Sequence, residues 1–227
     1  PFVGEADLSP MAETNTALLL KRVAGANVNF NGSLAGIAQY RGLYGARVNI
    51  NLDGMNVGNA CSNNMDAPLH YLPRTFVEDV EVIRGIAPVS SGLDTIGGTV
   101  IADSRGAEFT DGPGFEISGR LNGGVQSVDN GYSTAGEVTL ANDRHRLRAA
   151  VSHEHGSNRE FGDGTIRPTR YERTAIDAGY AVDVDGHLLS LDYRRNDTGR
   201  SGTPALPMDD IYSDANLLRG GYSGDVG

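Results

Sequence analysis

The sequence has no tryptophan, one cysteine, 19 basic residues against 29 acidic ones, and no long apolar run. Each shortage excludes something. A single cysteine cannot close an intramolecular disulfide, so cysteine usage does not fix the compartment. Without a run of about 18 apolar residues no helix can span a membrane, although a β-barrel remains open because its strands alternate. A net charge of −10, with no basic stripe interleaved with aromatics, argues against a nucleic-acid partner. Nor does a catalytic constellation stand out: there is no Ser-His-Asp order and no paired catalytic carboxylates. The glycines of 92–98 enclose Asp94 and lack the Lys-Ser/Thr of a phosphate loop, so no enzyme is expected. What is abundant is glycine, 31 residues with nine prolines and 39% hydrophobics, a composition unlike a compact helical or doubly wound enzyme. The 227 residues suffice for one or two domains with a substantial core. Pro1 follows no Met or signal sequence, and Gly227 falls just after a strand-like pattern, so both ends read as cuts.

The first half predicts a small α+β domain over residues 1–111. Residues 1–16 are polar, extended or disordered; Ala17 to Val23 then reads as a short helix with Lys21 and Arg22 in its last turn and Gly25 as its stop. Strands are expected at Val28 to Phe30, around Val80 and Val82, and from Thr99 to Ala102. Val48, Ile50 and Leu52 alternate with Arg47, Asn49 and Asn51 in a half-buried strand that ends in the turn pair Asp53-Gly54.

From Gly112 the texture changes, and residues 112–227 alternate with period 2. Leu121 and Val125 oppose Asn122 and Gln126; Leu147, Ala149 and Val151 oppose Arg146, Arg148 and Ser152; Leu189, Leu191 and Tyr193 oppose Ser190, Asp192 and Arg194. Each run is about 10 to 13 residues, as a tilted bilayer-crossing strand requires. Tight turns at Asn142-Asp143 and Asp185-Gly186 alternate with long polar stretches over 156–170 and 198–214. Short turns at one end and long loops at the other indicate a transmembrane antiparallel β-barrel facing outer-membrane lipid. A soluble sandwich also alternates, but its strands are usually about 5 to 6 residues, and its core would not house Arg and Glu. Six strands cannot enclose a hundred-residue domain, so the barrel is expected to be incomplete in this chain.

The stretch 59–71 concentrates the soft chemistry. Cys61 is followed by the thioether of Met65 and the imidazole of His70, with Asn63 and Asn64 between the sulfurs. Thiolate and thioether together favour Cu(I) over hard cations. If the segment curls into a helical turn, the i, i+4 spacing puts Cys61 and Met65 on one face. The competing reading is a small hydrophobe beside a gap-filling side chain; Asn59, Ser62 and Asp66 make that core explanation fit poorly. His153 and His155 share a strand face but lack a third ligand, so they read as surface histidines.

Five pieces in order resemble the TonB-dependent outer-membrane receptors. They are 17–28 as helix and strand, Gln39-Tyr40-Arg41-Gly42, the strand from Arg47 to the Asp53-Gly54 turn, Val77 to Gly85, and Leu93 to Val100. The resemblance implies a plug domain inside a large barrel in the bacterial outer membrane, energised by the TonB inner-membrane complex. Within that family, Cys61-Ser62-Asn63-Asn64-Met65-Asp66-Ala67-Pro68 resembles the copper receptors, where the Cys and the Met four residues on bind copper and barrel residues add ligands. This implies import of copper or a copper chelate, with Cys61, Met65 and His70 as the candidate set. Met208, on a long loop, is either a wall-side candidate or an apolar anchor of that loop. Arg41 and Arg84 are expected to pair with barrel carboxylates. The alternative is a siderophore receptor, importing an iron chelate, in which Cys61 is incidental.

Overall fold

The computed structural model describes residues 2–3, 14–85 and 96–224. Most of the expected N-terminal extension, residues 93–95 of the last matching piece, and Asp94 of the glycine stretch lie outside the described residues.

In the first half, β1 (Phe2–Val3) precedes the expected short helix, which is a 3-10 helix at Thr16–Arg22. The turn is tighter because Asn15 caps it, accepting from Ala17 N at 3.0 Å, while Val23 N closes on Leu20 O, three residues back, at 2.9 Å. A meander follows: β2 (Ala26–Phe30), β3 (Gly36–Tyr40) and β4 (Leu43–Tyr44). Then come β5 (Asn49–Leu52), β6 (Met55–Asn56), β7 (Val77–Ile83) and β8 (Thr99–Ser104). These make a sheet ordered β1-β7-β8-β5-β6, in which β5 runs parallel to β8 and the remaining pairs are antiparallel. Asp53 and Gly54, with φ of 51° and 82°, form the β5 to β6 turn that the Asp-Gly pair specifies. Leu20, Val23, Ile50, Leu52, Phe76, Val80 and Val100 fill the core between these layers.

The second half is a single antiparallel wall. Its strands are β9 (Glu116–Gln126), β10 (Gly131–Ala141), β11 (His145–Gly156), β14 (Tyr171–Val184), β15 (His187–Thr198) and β16 (Ser213–Gly224). They pair in the order β16-β15-β14-β11-β10-β9. The connection between β11 and β14, expected as a polar loop, carries a hairpin of β12 (Arg159–Phe161) and β13 (Gly164–Ile166), each too short to alternate visibly. Leu121, Leu189 and Leu191 face outward, 88%, 50% and 54% exposed, as a lipid-facing row requires. The inner face is small and charged: Ala150, Ala175, Arg148, Glu154, Arg173, Asp177 and Arg194 are buried against the first half.

Charges join the two halves. Glu137, Arg148, Asp177 and Arg194 alternate across neighbouring strands, with Arg148 on Glu137 at 3.0 Å and Arg194 on Asp177 at 2.6 Å, and Arg148 also pairing with Asp177. Arg194 then reaches Asp53 of the β5 to β6 turn at 2.8 Å, and Arg219 donates to the Asp53 carbonyl at 2.6 Å. Burial alone would raise the Asp53 pKa, but Arg194 and two hydrogen bonds from Ser104 outweigh it and hold the carboxyl below its ordinary value. Arg41 and Arg84 were expected to pair with barrel carboxylates. Among the described ion pairs neither takes part; the cations that join the halves belong to the wall, while Arg41, in a left-handed turn, lies 5.3 Å over the Tyr40 ring.

Candidate metal-binding loop

The loop 57–67 connects β6 to a 3-10 helix at Pro68–Tyr71. Its 61–64 segment is a reverse turn, Asn64 N bonding Cys61 O at 2.9 Å with Asn64 at φ 53°, so the condition of a helical turn under which the i, i+4 spacing shares a face is not met. The reason is Asp66. Its carboxylate is buried and accepts from Ala60 N at 2.7 Å, Cys61 N at 3.0 Å and Tyr71 Oη at 2.5 Å, which draws the loop into a ring and leaves no helical ladder. Burial and then the Asp66 carboxylate push the Tyr71 hydroxyl up, so it stays a donor. Asn31 closes the ring from outside, its amide donating to Asn63 O at 2.8 Å.

Cys61 and Met65 are both partly exposed on this loop, and the cysteine thiol is free. His70 is placed differently: it is buried, and its Nε2 lies 2.7 Å from Thr198 Oγ1 on β15. Burial and the nearby Arg173 cation push its imidazole down to about 3, so the ring is neutral. The His70 carbonyl accepts from Arg173 at 2.6 Å and from Asn196 at 3.1 Å. His70 thus sits in the joint between plug loop and wall. His153 bonds Thr174 at 2.9 Å on the outward face of the sheet.

Asn31 and the bracing role of Asp66 were not read from sequence. The signal was faint: an Asp five residues after Cys61 and just before Ala67-Pro68 can cap the turn preceding it.

A small two-layer body seated on the charged inner face of an alternating wall, whose other face is apolar, defines the plugged barrels of the bacterial outer membrane. Residues 2–99 match the TonB-dependent receptor plug domain, and the match supports a TonB-dependent outer-membrane receptor. A vitamin B12 transporter, BtuB, from Vibrio vulnificus (strain YJ016) is 24% identical over 99% of this chain and 38% of its own length. Among solved structures, the copper transporter OprC superposes with a TM-score of 0.81 at 24% identity, covering 96% of this chain and 33% of that one. The FrpB iron transporter of Neisseria meningitidis superposes at 0.75 with 15% identity, covering 99% and 36%. The chain therefore spans little more than a third of the proteins it matches, and the barrel in it is incomplete.

Proposed function

We propose that the receptor imports copper, and that Cys61 and Met65 of the plug loop hold it on entry. The observation that carries this reading is the loop itself: a free thiol and a thioether, both partly exposed, on a backbone ring fixed by the buried Asp66. Two soft sulfur donors select a soft monovalent ion over the hard cations abundant outside a cell. The thiol gives up its proton as the ion binds, so retention falls as pH drops. Import would draw on the TonB complex of the inner membrane, as the family does, and the work of the protein is transport. The His70 ring, expected beside this pair, has its Nε2 2.7 Å from Thr198 Oγ1 at the joint with the wall. The resemblance of the OprC fold, itself that of a copper transporter, is consistent with the same cargo.

An iron-chelate reading has two observations in its favour, a fold shared with the FrpB iron transporter and a cleft. A cleft of about 540 Å3 beside the loop is lined by Lys21, Phe30, Asn31, Gln126 and Arg159, cations and an aromatic that an anionic chelate would use. Lys21 lies 5.4 Å over the Phe30 ring and Arg159 is 3.9 Å from Asp129. The sulfur loop is the better prepared site. Elemental analysis of the full-length receptor after equal exposure to copper and zinc tests the reading. Copper retained by the wild type, lost in Cys61→Ala and reduced in Met65→Ala is expected; equal copper in all of them, or equal zinc in the wild type, would overturn it. A deletion strain starved of copper or of iron then separates the cargoes, since impaired iron-chelate uptake with normal cell copper would favour the alternative.

A further inference from the structure

The outward face of the wall carries a break in its apolar relief. Val138, Ala149, Ala178 and Tyr193 stand in one row across β10, β11, β14 and β15, so two neighbouring strands present only a methyl group between large side chains. Leu147, Tyr180 and Leu191 close the row toward the tight turns, and the recess is an open groove of about 630 Å3. Beyond it the face turns polar. His145 stacks on Tyr180 with ring centroids 6.1 Å apart and its Nδ1 2.8 Å from Tyr180 Oη; His187 repeats this on Tyr222 at 6.0 and 2.9 Å. Rings with an apolar body and a polar tip mark a membrane interface. The opposite edge is set by Arg195, which pairs with Asp197 at 2.8 Å and lies 3.8 Å from Asp214. From His187 to Arg195, β15 climbs about 27 Å at roughly 3.4 Å per residue, and a tilt of about 40° leaves about 21 Å of depth, close to the apolar band of a barrel. The two alanines therefore sit at mid-depth, Ala149 about 14 Å along β11 from His145, a distance one acyl chain spans.

The turns past that rim carry both signs of charge. Arg144 is exposed and joins none of the described ion pairs. Asp143 beside it and Asp185 in the next tight turn are exposed as well, and Asp183 N bonds Arg144 O at 2.8 Å, which sets the two turns side by side. A purely anionic headgroup would meet more carboxylate than guanidinium there. A headgroup holding both a phosphate and a primary ammonium meets a partner for each: Arg144 and the His145–Tyr180 pair for phosphate oxygens, Asp143 or Asp185 for the ammonium. We propose that groove and rim together bind one zwitterionic, amine-bearing phospholipid from the leaflet on the short-turn side, with an acyl chain laid over Ala149 and Ala178. Lipid contact in general follows from the apolar face; the groove adds a fixed place for a single molecule, and the rim adds a choice of headgroup. The site is on the wall's outer surface and does not depend on the reading of the sulfur loop.

Native mass spectrometry of the full-length receptor in detergent tests this, with phosphatidylethanolamine, phosphatidylglycerol, phosphatidylcholine and lipopolysaccharide added in equal amounts. Wild type should retain one phosphatidylethanolamine in preference to the other three. Ala178→Leu fills the groove from a position that faces lipid and not the plug, so the melting temperature should hold while retention drops about tenfold, the loss of about two buried methylenes. Arg144→Gln should weaken phosphatidylethanolamine and phosphatidylglycerol alike, and Asp143→Asn combined with Asp185→Asn should erase the preference over phosphatidylcholine. Equal retention by wild type and Ala178→Leu would overturn the groove as the site. Retention of lipopolysaccharide or phosphatidylglycerol in place of phosphatidylethanolamine would overturn the assigned headgroup. Folded wild type that retains no lipid, or that covers this face with a second copy of itself, would overturn the proposal whole.

Discussion

Plug and wall meet in two regions of opposite chemistry. In the buried joint, Arg173 donates to Glu154, to the His70 carbonyl at 2.6 Å and to Thr14 O at 3.1 Å, while Arg194 spans Asp177 and Asp53. Charges, fixed distances and full burial make that joint a frame. At the loop side the contacts are amides and thioethers, the longest being 3.5 Å and 3.9 Å to sulfur, and the sulfur-bearing residues are partly open to solvent. Weakly engaged neutral donors are free to turn to an ion, whereas the ion-paired joint is not. The difference teaches that stability and cargo binding are carried by separate side chains and can be broken separately.

The largest expected effect lies in the joint. Arg173→Ala strands the Glu154 carboxylate, which is fully buried, and takes a donor from His70 O; removing one partner of such a buried pair costs about 3 to 5 kcal/mol. Thermal unfolding of the full-length receptor should fall, and limited proteolysis should open the plug, with metal retention per folded molecule unchanged. Asp53→Asn is expected to be milder, roughly 1 to 3 kcal/mol, because Arg194 keeps Asp177.

At the sulfur loop the effects should be local. Asp66→Asn removes one acceptor from the set of Ala60 N, Cys61 N and Tyr71 Oη, so the ring around Cys61 loosens. A thiol reagent should then modify Cys61 faster and copper retention should fall, while the melting temperature moves little. If Asp66→Asn changed the melting temperature as much as Arg173→Ala, the separation of frame and site would be wrong.

The smallest effect is a pH dependence. Burial, followed by repulsion from Asp53 and Asp79, raises the Asp103 carboxyl to about 6. Its folded value lies above its ordinary one, so the folded plug holds that proton more tightly than the unfolded chain. The resulting stabilisation is full below about 4 and lost as pH rises through about 6. Asp103→Asn should flatten the stability profile between those values, as read by thermal unfolding across pH.

Much of the frame was legible. Leu189 and Leu191 against Ser190 and Asp192 state a strand with two different faces, and Asp53-Gly54 states its turn, because both depend on neighbouring residues alone. The site was legible only in its elements. Cys61 and Met65 were visible as soft donors, but their helical turn was not what forms, since the carboxylate of Asp66 competes for the backbone donors. His70 looked like a ligand through closeness in sequence; Pro68 starts a fresh turn that buries the ring against Thr198, 128 residues away. Arg173 gave no sign at all, because its partners Glu154, His70 and Thr14 stand 19, 103 and 159 residues away in sequence.

X-ray absorption at the copper edge of the loaded full-length receptor tests the central claim most directly, because it counts sulfur neighbours around the metal. The account predicts a first coordination sphere dominated by sulfur in the wild type, with a sulfur lost in Met65→Ala and the copper itself lost in Cys61→Ala. A sphere of nitrogen and oxygen alone, unchanged by either substitution, would contradict it.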